Sequence, residues 1–309
     1  MCCKVKSIYD FQDIFELVKF FSTEKKCLKF VVHKRWGDTV RCVDCNSDKI
    51  YKFSDGKRYK CAECKRHFTA LVGTVFQDTR LPLKKWIMAM YLIGNDTGIS
   101  TRNLAKKIGV SVPTAWFLSH RIRETFTQST EKLSGVVESD ESFIGGKNKN
   151  RHIHKKVKNS QGRSYKDKTP VFGVLERGGK LKAKVIKDTK VASIKPALKE
   201  MVEAGSILYS DEWLGYRGSG RTYQHTIVDH KRKQFKNGDA CTNGIEGAWS
   251  RLKRMIAGVY YRFSKKHLQR FINEFTFRYN TRKLEQHERL VEMFKNINRP
   301  LKYKQLIAA

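Results

Sequence analysis

The sequence has no long hydrophobic run. No apolar stretch approaches the roughly 18–20 residues that a membrane-spanning helix needs. The first residues, Met1 to Lys6, lead into no apolar core of a secretory signal. We therefore expect a soluble protein of the cytoplasm with no membrane partner.

Acidic residues are also scarce. The 309 residues include 30 Asp and Glu against 63 Lys and Arg, which gives a net charge of +33. A polyanion, most often nucleic acid, relieves the repulsion within such a chain. A ribosomal protein or a binder of another anionic surface is the alternative. With 40% hydrophobic and 11% aromatic residues the chain can build real cores, so it is not a disordered basic tail, and its length predicts two or three domains.

Four of the eight cysteines form two pairs of C-x2-C spacing, Cys42 with Cys45 and Cys61 with Cys64. This spacing is typical of a structural zinc site, and the Asp55-Gly56 turn between the pairs predicts the hairpin of a zinc ribbon. Four reduced thiols in a small core are the alternative. The remaining cysteines lack partners at ligand spacing, and we expect free thiols in a reducing compartment. They are Cys2, Cys3, Cys27 and Cys241.

A short helix, a glycine turn and a second capped helix follow the ribbon. Ser100 can cap a helix from Thr101 to Lys107, Gly109 provides the turn and Ser111 can cap the next helix. This order predicts a helix-turn-helix, and an ordinary helical hairpin is the alternative. The side chains off the apolar stripe of the second helix are expected to face DNA. They are Thr114, His120, Arg121 and Arg123.

From Gly135 onward the pattern changes to strands. An apolar strand at 136–144, a hairpin of strands at 171–176 and 181–186, a helix, a strand at 207–211 and two further helices predict an α/β domain with a mixed sheet.

A basic segment lies between the first two of these strands. Residues 148–168 hold eight Lys and Arg and one acid. Lys155, Lys156 and Lys158, which we call the loop lysines, are expected to contact DNA phosphates. A solvated basic loop is the simpler interpretation.

Three carboxylates stand out in this basic domain. Asp140 lies late in the first strand, Asp211 ends the strand at 207–211 and Glu246 falls on the first turn of a helix. Three such groups can hold two divalent ions for nucleotidyl transfer, with Lys253, seven residues after Glu246, near the scissile phosphates. With 30 acids in the chain, a set of three can also arise by chance.

Several segments resemble the transposases of Merlin-like bacterial insertion sequences. These segments are VESDESFIGGK at 137–147, KTPVFGV at 168–174, SDEW at 210–213 and TNGIEGAWSRLKR at 242–254. The similarity extends from Cys42 through the ribbon and the two short helices to Asn280. One position departs from the family, since Cys241 stands where members tend to have His.

The resemblance implies an RNase H-like catalytic domain of the DDE type that requires Mg2+ or Mn2+ in addition to the structural Zn2+. It carries Asp140, Asp211 and Glu246 over as metal ligands and Lys253 as the accompanying lysine, with Asn243 as an alternative third residue. It also implies double-stranded DNA partners, both element ends and target, a homo-oligomer on that DNA, and a location at the nucleoid of a bacterium.

Asp10 can cap a helix near the start of the sequence, and we expect this helix to be structural. The residues that recur at helical spacing in it are Phe11, Ile14, Phe15, Val18 and Phe21.

The expected organisation has five parts. They are an N-terminal helical segment at 1–38, a zinc ribbon at 39–72, a helix-turn-helix DNA-binding domain at 80–130, an RNase H-like catalytic domain at 133–285 and a C-terminal tail at 286–309. The function that follows is strand cleavage and strand transfer at the terminal inverted repeats of an insertion sequence. An inactive, transposase-derived DNA-binding regulator and a structure-specific nuclease are the alternatives.

Overall fold

The chain folds as two units, Met1–Thr127 with Thr281–Ala309, and Gln128–Asn280. The computed structural model describes residues 11, 13–95, 97–146, 148–158, 164, 167–228, 239–261 and 264–308. Among the helices in these ranges, none has the length and apolar character that crossing a membrane requires.

The first unit consists of a group of helices that pack on one another and a small three-stranded sheet. Its elements are α1 (Ile14–Phe20), α2 (Glu24–Trp36), β1 (Ile50–Lys52), β2 (Arg58–Cys61), β3 (His67–Thr69), α3 (Leu83–Gly94), α4 (Thr101–Ile108), α5 (Val112–Arg123), α9 (Gln286–Phe294) and α10 (Tyr303–Ile307). The three strands pair antiparallel in the order β1-β2-β3, so the expected hairpin at Asp55-Gly56 is present.

The first helix begins later than its sequence pattern predicts. Asp13 is the N-cap and accepts hydrogen bonds from the N–H groups of Phe15 and Glu16. Asp10, the cap that we expected, lies outside the described residues. Within α1 only Leu17 is buried. The apolar stripe read from the sequence therefore overestimates how much of this helix is core.

Residues 286–309 are part of the first unit rather than a separate tail. In α9, Leu290, Met293 and Phe294 are buried at helical spacing. The ring centroid of Phe294 lies 4.7 Å from that of Phe30 in α2 and 5.9 Å from that of Phe76. The core of this unit is thus closed by the end of the chain.

The second unit is a five-stranded mixed sheet with helices on both faces. Its elements are β4 (Val136–Ile144), β5 (Thr169–Glu176), β6 (Leu181–Val185), α6 (Val191–Met201), β7 (Ile207–Asp211), β8 (Gln224–Val228), α7 (Asn243–Met255) and α8 (Leu268–Asn280). The strand order is β6-β5-β4-β7-β8. β4, β5 and β6 pair antiparallel, whereas β4, β7 and β8 pair parallel. The predicted mixed sheet is confirmed.

Alternation along the strands assigns the two faces of this sheet. Val137 and Leu208 pack with Ile194 of α6 in one core cluster. Val171 and Leu175, on the opposite face, pack with α7 and α8 in another. Because side chains alternate along a strand, Glu138 and Asp140 lie on the α7 face of β4.

Candidate functional site

The two cysteine pairs come together at one end of the small sheet. Sγ of Cys42 lies 3.5 Å from Sγ of Cys64, and Sγ of Cys45 lies 3.5 Å from Sγ of Cys61. All four sulfur atoms lie within 4.8 Å of one another. Tetrahedral zinc, with Zn–S bonds of about 2.3 Å, needs sulfur atoms about 3.8 Å apart, so the four thiols fit a structural Zn2+.

The backbone around each pair is shaped for this arrangement. Asn46 and Lys65, which directly follow Cys45 and Cys64, have φ of 61° and 60°. A left-handed residue at the same place in both turns bends the backbone so that its N–H groups face the sulfur atoms. The N–H of Cys64 donates toward Cys61 Sγ and lowers the pKa of that thiol to about 7. The thiolate form that zinc requires is therefore favoured at Cys61.

Two other cysteines are outside this cluster. Cys27 and Cys241 form no disulfide. Burial raises the pKa of the Cys27 thiol to about 11, so that side chain is a protonated part of the core. Cys2 and Cys3 lie outside the described residues.

Helices α4 and α5 have the caps that the sequence predicts. The Ser100 hydroxyl accepts from the N–H of Asn103, and the Ser111 hydroxyl accepts from the N–H of Thr114. Gly109 ends α4 in the left-handed conformation. Thr114 is partly exposed near the start of α5, where its hydroxyl is 2.8 Å from that of Ser111.

Three residues of α5 that we expected to face DNA are buried instead. His120, Arg121 and Arg123 are 1%, 6% and 3% exposed. The Arg121 guanidinium lies over the ring of Trp86 at 4.9 Å and donates to the carbonyl oxygen of Gln77. The prediction that these side chains face DNA is wrong, because the C-terminal half of α5 is enclosed on more than its apolar stripe.

The exposed cations of this helix pair lie on α4, and the sequence analysis missed them. Arg102, Lys106 and Lys107 are exposed, while Leu104 and Ile108 are buried. The missed signal is the strong amphipathicity of α4, whose polar face is almost entirely basic.

The loop lysines Lys155, Lys156 and Lys158 are exposed. Within the segment that carries them, residues 148–158 contain two short helical turns, Asn148–Asn150 and Ile153–Lys155. Lys155 ends a short 3-10 helix, Ile153–Lys155, and Lys156 and Lys158 directly follow that helix.

The side chain of Asn148, at the start of this segment, forms two hydrogen bonds with the backbone of Val157. The Asn148 side chain accepts from the N–H of Val157 at 3.1 Å and donates to the Val157 carbonyl at 2.8 Å. Val157 stands between Lys156 and Lys158, so the backbone of the loop lysines is held in place while their side chains stay in solvent. Exposure alone fits both a phosphate contact and a solvated surface. The assignment of Lys155, Lys156 and Lys158 to DNA binding therefore stays a prediction.

Asp140 and Asp211 lie on neighbouring parallel strands. The paired register aligns Glu138 of β4 with Tyr209 of β7, and Asp140 and Asp211 each lie two residues beyond this last pair. Parallel neighbours in a sheet lie about 4.8 Å apart. Asp211 is 8% exposed, and its Oδ1 accepts from the N–H of Trp213 at 3.1 Å.

Glu246 and Lys253 lie on α7, which packs on the same face. Both side chains are exposed. Glu246 Oε1 accepts from the hydroxyl of Thr242 at 3.1 Å. Among the described residues, the four cysteines alone form a group of three or more ligand side chains within 4.8 Å, so Asp140, Asp211 and Glu246 are not gathered that closely.

A close contact between α7 and the sheet sets the position of that helix. Gly173 of β5 pairs with Asp140, and a Cβ built on Gly173 would lie 2.5 Å from the ring of Trp249. Glycine at this position therefore lets α7 pack directly beside Asp140.

A second contact was not predicted from the sequence. Glu138 is 3% exposed, and its Oε2 accepts from the backbone N–H of Ile245 at 3.0 Å. The N-cap of α7 is Thr242, and it makes no side-chain cap hydrogen bond. The acceptor at this helix terminus comes from the sheet, 107 residues away in the sequence.

Two family comparisons cover these sites. Residues 132–280 match the model described as the ISXO2-like transposase domain, and residues 22–67 match that described as the transposase zinc-ribbon domain. Together the two matches cover more than half of the chain. The chain contains an ISXO2-like transposase domain preceded by a transposase zinc ribbon. The match to the transposase domain includes Asp140, Asp211 and Glu246, and the ribbon match includes all four cysteines of the cluster and α2.

A curated relative points the same way. It is described as an uncharacterised protein in the transposable element ISH50 of Halobacterium salinarum. The two sequences are 26% identical over 274 residues, which is 84% of this chain and 92% of the relative. The similarity to transposable-element proteins therefore extends beyond the two matched domains.

Proposed function

We propose that this chain binds the terminal inverted repeats of an insertion sequence, cuts a DNA strand at each end and joins the freed 3′-hydroxyl to target DNA. The observation that carries this proposal is that Asp140 and Asp211 each lie two residues beyond the last aligned pair of two parallel strands, inside a transposase domain. The second unit is the catalytic part in this proposal, with an RNase H-like arrangement of strands.

The carboxylates of the second unit suit a hard divalent cation. Asp140, Asp211 and Glu246 offer oxygen ligands of the kind that Mg2+ and Mn2+ prefer. When bound, such ions supply charge that stabilises the oxygens of a phosphodiester and activates a water or 3′-hydroxyl. Asp140 and Asp211 would hold these ions, and Glu246 would complete the ligand set.

The protein itself contributes orientation and positive charge. The N–H of Trp213 fixes one oxygen of Asp211, and the hydroxyl of Thr242 holds Glu246. Lys253 lies two helical turns after Glu246, on the same side of α7, where an ammonium group can neutralise a backbone phosphate. The main task of such residues is to hold the scissile strand in position.

Element ends would be bound chiefly by the first unit. We assign the contact to Thr114 at the start of α5 and to the basic face of α4, and a helix-turn-helix mode of docking fits these two helices. The loop lysines, Lys155, Lys156 and Lys158, would contact phosphates of the DNA at the second unit. The protein would act as a homo-oligomer, since two ends must be processed together.

Substitution of the aspartates tests the proposal. Asp140→Asn or Asp211→Asn should lower Mg2+-dependent cleavage of DNA from the flanks of the gene by at least about a hundredfold, since removing a group that merely supports a metal ligand already costs about 10–100-fold. Band shifts with the same DNA should stay near wild type, because few phosphate contacts change.

Asp188→Asn is the matched control. Asp188 accepts from the N–H of Lys190 and the hydroxyl of Ser193 at the start of α6, and Asn can accept the same bonds. This variant should cleave as wild type. Cleavage near wild type in either site variant would refute the metal assignment, and binding without any cleavage by the wild-type protein would favour the inactive regulator.

A further inference from the structure

We infer that Glu138 is a positioning residue that holds the first turn of α7, and with it Glu246, against the strands that carry Asp140 and Asp211. This inference rests on the proposed function, because it assigns Glu138 a role only if Glu246 is part of the catalytic site.

The first observation concerns the hydrogen-bond partners of the backbone N–H groups at the N-terminus of α7. The first N–H groups of a helix have no partner within it, and a side chain at the N-cap usually accepts from the third helical residue. Here the hydroxyl of Thr242 donates to Glu246 instead, and Glu138 accepts from Ile245. A carboxylate at this place also interacts favourably with the helix dipole. Glu138 therefore performs the capping role from the sheet.

The second observation is Arg177, which connects Glu138 to the remaining elements. Arg177 Nε lies 3.5 Å from Glu138 Oε1, while both terminal nitrogens donate to the carbonyl of Asp239 at 3.1 Å. One of them is also 3.1 Å from Cys241 Sγ. The guanidinium lies 5.1 Å from the ring centroid of Tyr209, two residues before Asp211. One ion pair thus joins β4, β7 and the segment that leads into α7.

The third observation is a glycine that the contact requires. A Cβ on Gly244, in the first turn of α7, would lie 2.7 Å from Glu138 Oε2 and 3.0 Å from Leu175 Cδ2. One turn later, a Cβ on Gly247 would meet nothing within 4 Å. Only the first of these two glycines is needed for the carboxylate to reach the helix.

These contacts favour positioning over direct metal ligation. One oxygen of Glu138 is directed to the N–H of Ile245 and the other to Arg177. Asp140 is two residues further along β4 on the same face, so a shift of α7 relative to β4 changes the distance between Glu246 and Asp140 directly.

The experiment compares Glu138→Ala, Glu138→Gln, Gly244→Ala and Gly247→Ala in the zinc-loaded full chain. Hydrogen exchange at the start of α7 measures how well the cap protects the Ile245 amide. Calorimetric titration measures Mn2+ affinity, which depends on the positions of the ligands, and cleavage of end DNA measures activity. Circular dichroism melting identifies any variant that fails to fold.

We expect Glu138→Ala and Gly244→Ala to exchange the Ile245 amide at least about tenfold faster, which is the value of one hydrogen bond to a charged group. Mn2+ affinity and cleavage should each fall by about tenfold in these two variants. The loss of a residue that supports a metal ligand costs about 10–100-fold in metal affinity or activity. Glu138→Gln keeps a neutral acceptor and should lie between these variants and wild type. Gly247→Ala should match wild type in all three measurements.

Two results would overturn the inference. One is wild-type exchange of the Ile245 amide in Glu138→Ala. The other is faster exchange with unchanged Mn2+ affinity and cleavage, which would make the contact purely structural. Loss of Mn2+ binding without any change in exchange would instead make Glu138 a direct ligand. Asp140→Asn separates this outcome from failure of the proposed function, because normal Mn2+ binding and cleavage in that variant would refute the function itself. The same result in Glu246→Gln would refute only the role of Glu246, and with it that of Glu138.

Discussion

Glu246 and Asn243 lie within one turn of α7 and differ in charge, and this difference favours Glu246 as the third catalytic residue of the proposed site. A carboxylate compensates the charge of divalent ions, whereas an amide does not. Glu246→Gln keeps size and helix propensity, so it should lose cleavage while its melting temperature stays within about 2–4 °C of wild type, the shift expected for 1 kcal/mol.

Asn243 provides the comparison. Its side chain is exposed at the first position of α7, and the cap contact comes from Glu138. Asn243→Ala should therefore fold and cleave normally. A folded Asn243→Ala that is inactive, together with an active Glu246→Gln, would show that Asn243 is the third residue.

Arg121 and Arg102 are a second informative pair, because one is buried and the other exposed on adjacent helices. Arg121→Ala removes the contacts with Trp86 and with the Gln77 carbonyl. It should lower the free energy of unfolding by about 1–3 kcal/mol, since buried partners lose their hydrogen bond. Thermal melting and band shifts on the same preparations measure stability and DNA affinity.

Arg102→Ala should show the reverse behaviour. Its exposed side chain contributes little to stability, so melting should be unchanged, while affinity for end DNA should fall and the salt slope should decrease by about one unit. If Arg121→Ala weakened DNA binding as strongly as Arg102→Ala without affecting melting, our correction of the DNA-facing residues would be wrong.

At the scale of elements, local patterns predicted most of the fold. Alternating apolar residues identified β4, β5, β6 and β7, and serine caps with a glycine turn identified α4 and α5. The strand Gln224–Val228 was missed because it is a polar edge strand, recognisable only by its pairing with β7. Periodicity also cannot show which polar side chains a neighbouring helix will enclose, which explains the error at His120, Arg121 and Arg123.

The acids that we propose as catalytic could be named from motifs, but their surroundings could not. The placement of Asp140 beside the strand that carries Asp211 depends on strand pairing, and the cap of α7 by Glu138 joins residues 107 positions apart. Both are set by tertiary packing, which a local pattern does not contain. The cysteine spacing was more informative, because one metal geometry restricts four side chains at once.

The zinc ribbon leads to a prediction about a whole element. Its apolar cluster consists of Tyr59, Phe68, Cys42 and Cys61 with a few half-buried neighbours, and this core is too small to fold without metal. We expect one Zn2+ per chain by elemental analysis. Chelation should unfold the ribbon and weaken binding to end DNA.

Cysteine variants make this prediction specific. Cys61→Ser should lose the zinc, whereas Cys241→Ser, outside the ribbon, should retain it. Freshly purified protein without zinc, or a Cys61→Ser variant that keeps a full equivalent, would contradict the assignment.

At the scale of the whole molecule, the net charge of +33 determines how binding responds to salt. Each neutralised phosphate releases condensed counterions, so affinity falls steeply as salt rises. A protein with six to ten phosphate contacts loses about 10³–10⁵ in affinity between 50 and 200 mM salt. We expect a loss of affinity in this range for end DNA, measured by fluorescence anisotropy. A flat dependence would indicate a partner other than nucleic acid.

Two triple variants distinguish the effect of the loop lysines on DNA binding from the effect of net charge. Changing all three loop lysines to Gln should reduce the salt slope by about three units if each contacts one phosphate. Changing Lys187, Lys190 and Lys199 to Gln removes the same charge around α6, on the sheet face opposite α7. That second variant should keep the wild-type slope, because counterion release depends on contacts rather than on total charge. An equal decrease of the salt slope in both variants would mean that the loop lysines make no specific phosphate contacts. They would then act only through the electrostatic potential of the whole protein.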